Sequence, residues 1–443
     1  MTKMNKIAAL LLAVGVSAPA FATDGYFAHG YGMKAKGMGG AATAMASDAM
    51  GGANNPASMV WAGDRLDIGL DLFAPKRSIS RTGSGMGLNT GGDVDSGSNL
   101  HYVPEFGYNK MLGWDMSMGV TVYGNGGMNT DFPGGQIAAG TCNALGFGTA
   151  GVANALCGNG RMGIDLMQLI VAPTFAMKIN KQHSLGVSLL LGHQQFKAQG
   201  IQSFAGFTTG GAGTNLSNLG RDKSNGVGLR LGWMGQLTEQ VSMGAAYSPK
   251  MKMSKFDLYK DLFAEQGGFD IPENWNIGIA FTPNDQWKIA ADYQRINYGG
   301  VNSVGNSSRT AADALGGGGV PNSLGGSNGR GFGWSSVDVV KLGVEYKYSK
   351  DLTLRAGYNR SDNPIQSRDV TFNMLAPGVV QDHYTMGFTY NVSKDSELTM
   401  AYMHAAKNSV SGPSLFNVWT GDTSVDKIQM SQDSLGIAYG MKF

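Results

Sequence analysis

Apolar and polar residues alternate with a period of two along most of this sequence. Residues 65–73 read RLDIGLDLF, so leucine and isoleucine alternate with aspartate and glycine, and residues 114–122, 352–359 and 384–390 repeat the pattern. Successive side chains of a strand point to opposite sides, so this alternation indicates strands with one apolar and one polar face. The predicted strands number fourteen and lie at residues 64–74, 98–110, 113–124, 163–180, 183–199, 226–238, 240–257, 272–283, 286–298, 335–349, 351–362, 380–393, 396–408 and 429–443.

Short and long connections alternate between the predicted strands. Short polar turns occur, for example, at residues 180–182, 283–285 and 393–395. An even number of strands joined in this way is typical of an outer-membrane β-barrel, which has short turns at one end and long loops at the other. The long connections are rich in Gly, Ser and Asn and lie near residues 75–97, 125–162, 200–225, 258–271, 299–334, 363–379 and 409–428.

The last ten residues, SLGIAYGMKF, continue the alternation to Phe443. A soluble β-sandwich would bury its apolar strand faces against each other and leave charged faces in water. Here the second face consists of Gly, Ser, Thr and occasional charges, which suits the interior of a barrel. Lipid does not tolerate unpaired strand edges, so the last strand is expected to close against the first. We therefore predict an all-β fold, a 14-stranded antiparallel transmembrane β-barrel, with Tyr439 and Phe443 near a membrane interface.

The composition and the first residues agree with an exported membrane barrel. Only 15% of the 443 residues are charged and the net charge is +2, whereas a soluble surface carries about 25–35% charged residues. Residues 1–22 combine a basic start, an apolar stretch at 7–16 and a small-residue site. This pattern predicts a secretory signal peptide cleaved before Thr23, because a spanning helix would need about twenty apolar residues.

The expected export also bears on the two cysteines, Cys142 and Cys157, which lie in a Gly-rich segment without a strand pattern. Exported proteins fold in an oxidising compartment, so a disulfide between them is predicted. The alternative is two unpaired thiols. Closure of a loop of about 15 residues would stabilise the fold by about 3 kcal/mol in the chain-entropy model.

Residues 25–59 do not alternate and are rich in Gly, Ala and Met. Small residues at this density let backbone pack closely in a confined space, so residues 23–62 are expected to plug a barrel formed by residues 63–443. With Asn55-Pro56-Ala57 between this plug and the first strand, the sequence resembles the FadL-type family, outer-membrane transporters of long-chain fatty acids and other hydrophobic compounds. Similar motifs are His101-Tyr102-Val103-Pro104, YGNGGMNTDF (123–132), FDIPENWNIGIAFTP (269–283) and RAGYNRSDNPI (355–365).

The resemblance implies a fourteen-stranded barrel with an N-terminal hatch inside the lumen. In such a protein, outer loops capture the ligand and an apolar pocket above the hatch receives it. The ligand then leaves sideways through a gap made by an inward kink in the third strand. The hatch motif corresponds to Asn55, Pro56 and Ala57.

The kink corresponds to the end of the third predicted strand, where Gly124, Gly126 and Gly127 lie. Glycine permits a kink or bulge in a strand. Alternatively, these glycines only begin a long loop.

Ligand capture is assigned to an aromatic segment at residues 256–267, FDLYKDLFAEQG. Its apolar residues recur at three- and four-residue spacing, which predicts a short amphipathic helix. A helix that exposes aromatic side chains offers an apolar landing surface, although the same face could instead pack onto neighbouring loops. A second, less regular candidate is the loop with Ile201, Phe204 and Phe207. The residues of the first candidate are Phe256, Leu258, Tyr259, Leu262 and Phe263.

A fatty-acid carboxylate would favour a basic partner in an otherwise apolar pocket. Without such a group near the pocket, uncharged hydrocarbons become the better cargo, and the sequence leaves open whether the cargo is a fatty acid, an alkane or an aromatic hydrocarbon. The basic candidates are Arg161, Arg221 and Lys223 in loops, and Arg230 and Arg355 with lumen-side parity.

Catalytic and metal sites have little support in the sequence. GGSNG at residues 325–329 fits the nucleophile-elbow pattern, but it lies in a loop and not on a strand-to-helix turn, so Ser327 is not expected to be catalytic. The six His are dispersed without metal-ligand spacing.

We therefore expect no enzyme activity, no cofactor, no metal and no nucleic-acid partner. The expected protein is a monomer in the bacterial outer membrane, in contact with lipid and with a hydrophobic small-molecule ligand. The alternatives are a diffusion porin for polar solutes and an outer-membrane lipid hydrolase.

Overall fold

The chain forms one antiparallel sheet in which each barrel strand pairs with the next and the last pairs with the first, so the barrel is closed. The computed structural model describes residues 24–309 and 322–443, and the predicted signal peptide lies outside them. A two-residue strand, Val94–Asp95, pairs only with the first barrel strand. The fourteen barrel strands are β1 (Arg65–Thr82), β2 (His101–Met111), β3 (Met116–Asn129), β4 (Gly163–Lys178), β5 (His183–Gln199), β6 (Asp222–Gln236), β7 (Val241–Ser248), β8 (Asn274–Phe281), β9 (Trp287–Ile296), β10 (Val337–Lys347), β11 (Leu352–Ser361), β12 (Asp382–Asn391), β13 (Ser396–Pro413) and β14 (Val425–Lys442).

Helices in the described residues are single turns or little more, and all lie before β1 or in the long connections. No helix in this part of the chain has the length and apolar character needed to cross a membrane. The α-helical turns are Met33–Lys36, Gly51–Asn54, Met59–Ala62, Ala139–Ala144, Ala264–Gly267, Asn302–Gly305, Val370–Asn373 and Asn417–Thr420. The 3-10 turns are Pro56–Ser58, Gln202–Phe207, Asp257–Tyr259, Tyr298–Gly300 and Ser367–Asp369.

Closure of the barrel follows the predicted alternation. The β1–β14 ladder runs without interruption from Arg65 opposite Lys442 to Thr82 opposite Val425. On β14, Ile437 and Tyr439 are 44% and 46% exposed on the outside of the barrel. Asp67 of β1 is buried on the inside. The apolar band therefore faces outward, and the polar positions line the lumen, as expected for a barrel in lipid.

Several strand boundaries differ from the prediction by four or more residues, and two of these differences have clear physical reasons. β1 extends to Thr82 instead of residue 74, because it keeps pairing with β14 beyond the apolar band. β7 ends at Ser248 instead of residue 257. Pro249 follows directly, and proline has no N–H to donate to a ladder. Beyond it, Met251 and Met253 form only isolated bridges.

The N-terminal segment (residues 24–62) is buried or half-buried along its whole length. Its contacts are with side chains from the inner face of the barrel. The Lys36 Nζ atom lies 2.8 Å from Asp71 Oδ2 of β1. Asp292 of β9 accepts hydrogen bonds from the amides of Ala42 and Thr43 at 2.8 and 2.9 Å. Removing one partner of such a buried charged contact is strongly destabilising, so these contacts fix the position of the segment.

A close backbone approach at Gly232 of β6 completes the fit of this segment. A Cβ atom added there would lie 2.1 Å from Asn55 Oδ1 and 2.9 Å from Pro56 Cδ. Only glycine leaves room for the Asn-Pro-Ala turn against the barrel wall. At this position of the inner strand face, glycine is therefore required by packing against the N-terminal segment.

The connection between β3 and β4 contains the disulfide between Cys142 and Cys157, with an S–S distance of 2.05 Å. Both cysteines are buried. The bond joins the helical turn Ala139–Ala144 to the return of the same loop, which shortens the free length of this long outer connection.

We predict that Gly232→Ala destabilises the folded protein. The added methyl group must displace Asn55 or Pro56, and overpacking of this kind costs about 1–3 kcal/mol. The measurement is the midpoint temperature of barrel unfolding in detergent, followed by the shift in electrophoretic mobility.

Gly140→Ala is the matched control, since a Cβ atom at Gly140 meets nothing within 4 Å, and its midpoint should stay at the wild-type value. Equal midpoints for the two variants would contradict the close packing of the Asn-Pro-Ala turn on β6.

Candidate functional site

The ladder between β2 and β3 stops halfway up the barrel wall. Its last pair is Phe106 with Val122, although β3 continues to Asn129 and stays paired with β4 over that length. The register of β3 with β4 shifts between Gly124 and Gly126, so Asn125 is the extra residue of a bulge. Upper β3 (residues 123–129) therefore has one edge that β2 does not pair. The predicted glycines form a bulge within the strand and do not begin a loop.

The first described residues of the chain fill part of this free edge. The Gly127 amide donates to the Tyr26 carbonyl at 3.0 Å, and the Ala28 amide donates to the Asn125 carbonyl at 3.3 Å. Phe27 and Gly126 form a bridge between them. A Cβ atom at Gly126 would lie 1.9 Å from the Tyr26 carbonyl oxygen. We call residues 24–28 the arm; glycine at position 126 is what allows it to approach β3.

A single phenol in the connection after β9 holds the arm in place. The Tyr298 hydroxyl accepts hydrogen bonds from the amides of Tyr26 and Phe27 at 3.0 and 3.2 Å and donates to the Asp24 carbonyl. Burial raises the pKa of Tyr298 well above its ordinary value. The hydroxyl is therefore neutral at pH 7 and keeps the proton that it donates. The Tyr298 and Tyr26 rings also contact, with centroids 4.9 Å apart.

The predicted hatch motif lies at the other end of the N-terminal segment and is built as a cap. Asn55 Oδ1 accepts from the Ala57 amide at 3.1 Å. Its Nδ2 donates to the Thr43 carbonyl at 2.7 Å and to the Trp233 carbonyl of β6 at 2.9 Å. Pro56 begins the 3-10 turn Pro56–Ser58. This asparagine therefore joins two parts of the segment to the barrel wall.

Of the basic candidates, Arg230 borders an internal cavity between the N-terminal segment and the wall. This cavity of about 30 Å³ is lined by aromatic, aliphatic and amide side chains that include Phe27, Tyr123 and Leu190. The Arg230 guanidinium donates to the Asn54 carbonyl at 2.8 and 3.2 Å and to oxygens of Ser248, Asn274 and Asn276. All of its donors are in use, so it holds Asn54 to β6.

The other four basic candidates lie elsewhere. Arg161 pairs with Asp131 at 2.7 Å on the exposed outer side of the barrel. Arg221 pairs with Asp165, and Lys223 is exposed. Arg355 is buried in the lumen and pairs with Glu345 at 2.7 Å. The structure does not bring these side chains together with Arg230 into one carboxylate site.

The predicted capture helix is wrong in its structure and in its exposure. The residues form the 3-10 turn Asp257–Tyr259 and the short turn Ala264–Gly267, and the latter has left-handed backbone at Glu265 and Gln266. The aromatic side chains point inward, because they pack around Phe196 of β5 and Phe269 with centroids 4.6–5.7 Å apart. Phe256, Tyr259, Leu262 and Phe263 are buried, and Leu258 is half-buried. The alternative of packing onto neighbouring elements is the observed one.

Half-buried aromatic residues instead meet between three outer connections. Phe207 stacks on Trp419 with centroids 4.7 Å apart, and Phe147 contacts Trp419 at 6.1 Å. A cavity of about 10 Å³ beneath them is lined by Phe204 and Phe372, among other residues. Phe204 and Phe207 belong to the second, less regular candidate loop, which thus contributes to this aromatic cluster at the outer connections.

Reasoning from the sequence missed the contacts of Tyr298 and the lumen position of Arg77. Tyr298 contacts residues more than 270 positions away along the chain, and no local pattern signals such a partner. Arg77 lies in the part of β1 that was predicted to be a loop. Continued pairing with β14 would have placed Arg77 on the lumen side, because it has the same parity as Asp71 and Phe73.

A family model described as outer membrane protein transport protein (OMPP1/FadL/TodX) matches residues 9–443 of the chain. No match was found among curated proteins.

Among solved structures, the toluene transporter TodX of Pseudomonas putida is similar, with a TM-score of 0.65 and 18% identity, covering 94% of this chain and 99% of that one. The toluene transporter TbuX of Ralstonia pickettii has a TM-score of 0.60 at 19% identity, with coverage of 94% and 99%. A Pseudomonas aeruginosa FadL homologue has a TM-score of 0.67 at 13% identity, again with coverage of 94% and 99%. At these identities, the similarity establishes the shared barrel fold.

We predict that Tyr298→Phe loosens the arm without disturbing the barrel. The change removes the acceptor of two buried amides, which costs about 1–3 kcal/mol, so the segment should open locally more often. Amide hydrogen exchange at Gly127, whose N–H donates to the Tyr26 carbonyl of the arm, should accelerate about tenfold or more in the folded protein.

The control is Tyr247→Phe, whose ring is 41% exposed on the outer face and whose hydroxyl forms no hydrogen bond among the described residues. Its Gly127 amide should exchange at the wild-type rate. Unchanged exchange at Gly127 in Tyr298→Phe would show that this phenol does not hold the arm.

Proposed function

The chain belongs to the outer membrane protein transport family that includes OMPP1, FadL and TodX and is a bacterial outer-membrane transport barrel; we propose that it passes hydrophobic small molecules inward by diffusion. The observation that carries this proposal is the free edge of upper β3, which the arm covers. A general pore for polar solutes needs no such edge, since its solutes remain in a water-filled lumen.

Capture begins at the outer connections. The aromatic cluster of Phe147, Phe207 and Trp419 offers an apolar surface that is half-buried and reachable from outside. Transfer of an apolar solute from water to such a surface is favourable by about 25 cal/mol per Å² buried. The cargo therefore concentrates at the outer mouth of the barrel without any energy source.

Release takes place sideways between β2 and β3. We call the gap between upper β3 and β2 the window. It starts above the Phe106–Val122 pair and ends below the hydrogen bond from the Gly97 amide to the Asp131 carbonyl, which is 2.8 Å long. Within it, the only backbone partners of upper β3 on this side, among the described residues, come from the arm. An apolar solute that leaves here enters lipid directly and avoids the aqueous periplasm.

The N-terminal segment acts as the hatch in this proposal. Its lower part is fixed by the Lys36–Asp71 ion pair and by the contacts of Asn55. The arm is held to β3 by two backbone hydrogen bonds and one bridge. Displacement of the arm alone would therefore open the window while the rest of the segment keeps the lumen closed to water. Partitioning of the cargo, and its removal inside, supply the free energy.

Deletion of Asn125 is the direct test of sideways release. Without the extra residue of the bulge, Gly124 and Gly126 become consecutive and β3 is free to continue its ladder beside β2. We predict at least tenfold slower uptake of radiolabelled oleate or toluene into proteoliposomes, with normal insertion of the barrel.

Deletion of Gly91, which is exposed in the connection between β1 and β2, controls for the loss of one residue and should leave uptake unchanged. Wild-type uptake rates in an inserted, heat-modifiable Asn125 deletion would contradict the lateral route. Sucrose permeation by the wild type without uptake of either hydrophobic solute would contradict the proposed cargo.

A further inference from the structure

We propose that Arg77 of β1 binds the carboxylate head group of an amphipathic cargo in a cavity beside upper β3, immediately before the cargo leaves through the window. The inference rests on the proposed function and deepens it, because it selects ionised amphiphiles over neutral hydrocarbons. Three observations carry it: the missing counter-charge of Arg77, the lining of its cavity and the position of that cavity beside upper β3.

Arg77 is 5% exposed and has no ion-pair partner among the described residues. Its one hydrogen bond there is donated to the Ser98 carbonyl, and its Nε atom is buried without a partner. A guanidinium has five donors in a planar fork that matches a carboxylate. Most of this donor capacity is unused.

Other buried arginines of the barrel have an acidic partner or a full set of hydrogen-bond acceptors for their guanidinium groups. Arg81 lies four residues further along the same strand and pairs with Asp426 through Nε at 2.6 Å. Arg65 pairs with Asp67 and Arg355 with Glu345 at 2.6 and 2.7 Å. Arg230 has no acid but uses all its donors on neutral oxygens, as described above. Arg77 has neither kind of compensation, and burial of an uncompensated cation is costly.

The cavity beside Arg77 supplies an apolar surrounding for a cargo chain. Its ten lining residues include Met128, Trp334 and Met430, and none of them is acidic. The space of about 10 Å³ is enough for about one water-sized group. Methionine side chains are flexible and adapt to irregular shapes, so Met128 and Met430 are the groups that would move to admit the head group.

The position of the cavity connects it to the window. Gly127 and Met128 of upper β3 form part of its lining, and the Gly127 amide is the one that donates to the arm. A head group held by Arg77 thus lies next to the contact that closes the exit. A carboxylate fits this site best, because it is a planar anion that accepts two parallel N–H bonds.

The test compares three probes with twelve carbons, laurate, dodecan-1-ol and dodecane, at pH 8 on the full-length protein in detergent. Wild type should bind laurate at least tenfold more tightly than dodecan-1-ol. Arg77→Met should bind the two equally, and Arg77→Lys should retain part of the preference. Lys76→Met removes the same charge from the outer side of the same strand and should behave as wild type.

A second readout distinguishes ligand binding from a structural role. Because Arg77 has no acid to leave behind, Arg77→Met should raise the unfolding midpoint or leave it unchanged without ligand, and laurate should no longer raise it. Equal affinity of wild type for laurate and dodecan-1-ol, or an unchanged preference in Arg77→Met, would overturn the Arg77 site alone. Failure of all three probes to bind would instead overturn the proposed function.

Discussion

Every backbone N–H and C=O group of a strand in lipid needs a partner within the protein, because hydrocarbon offers none. The rest of this structure depends on how that requirement is met. Twelve of the thirteen sequential strand junctions and the β1–β14 junction supply partners by ordinary ladders. The upper part of the β2–β3 junction is different, since its partner is the arm at the start of the chain.

Because the arm takes the place of a strand ladder beside upper β3, barrel closure and the proposed transport are linked. Opening a strand-to-strand ladder breaks many hydrogen bonds at once, whereas releasing the arm breaks only a few. Tyr298 and the aromatic cluster around Tyr26 stabilise the closed arrangement from the lumen side. Arg77 and its cavity lie against the same stretch of β3. In our account, cargo binding and arm release therefore act on one element and need no signal across the barrel.

The sequence predicted the repetitive parts of the fold well and the unique contacts poorly. Period-two alternation is a local property, so it located the strands and the outward face of β14. The same locality failed at residues 256–263, because three- and four-residue spacing is compatible with a buried turn as well as with an exposed helix. It also failed at Arg77 and Tyr298, whose environments are set by pairing with β14 and by the arm. For the glycines of β3, the sequence left open a kink or the start of a loop, and no pattern indicated what would fill the edge beside the observed bulge.

Amide hydrogen exchange at Gly127, with and without bound cargo, tests the central claim most directly. The account predicts that the Gly127 amide is protected in the free protein by its bond to Tyr26 and exchanges at least tenfold faster when the cargo is bound. The amides of lower β3, paired with β2 and β4, should stay protected throughout. Equal protection of Gly127 in both states, in a sample shown to bind the cargo, would contradict the claim that the arm is the gate.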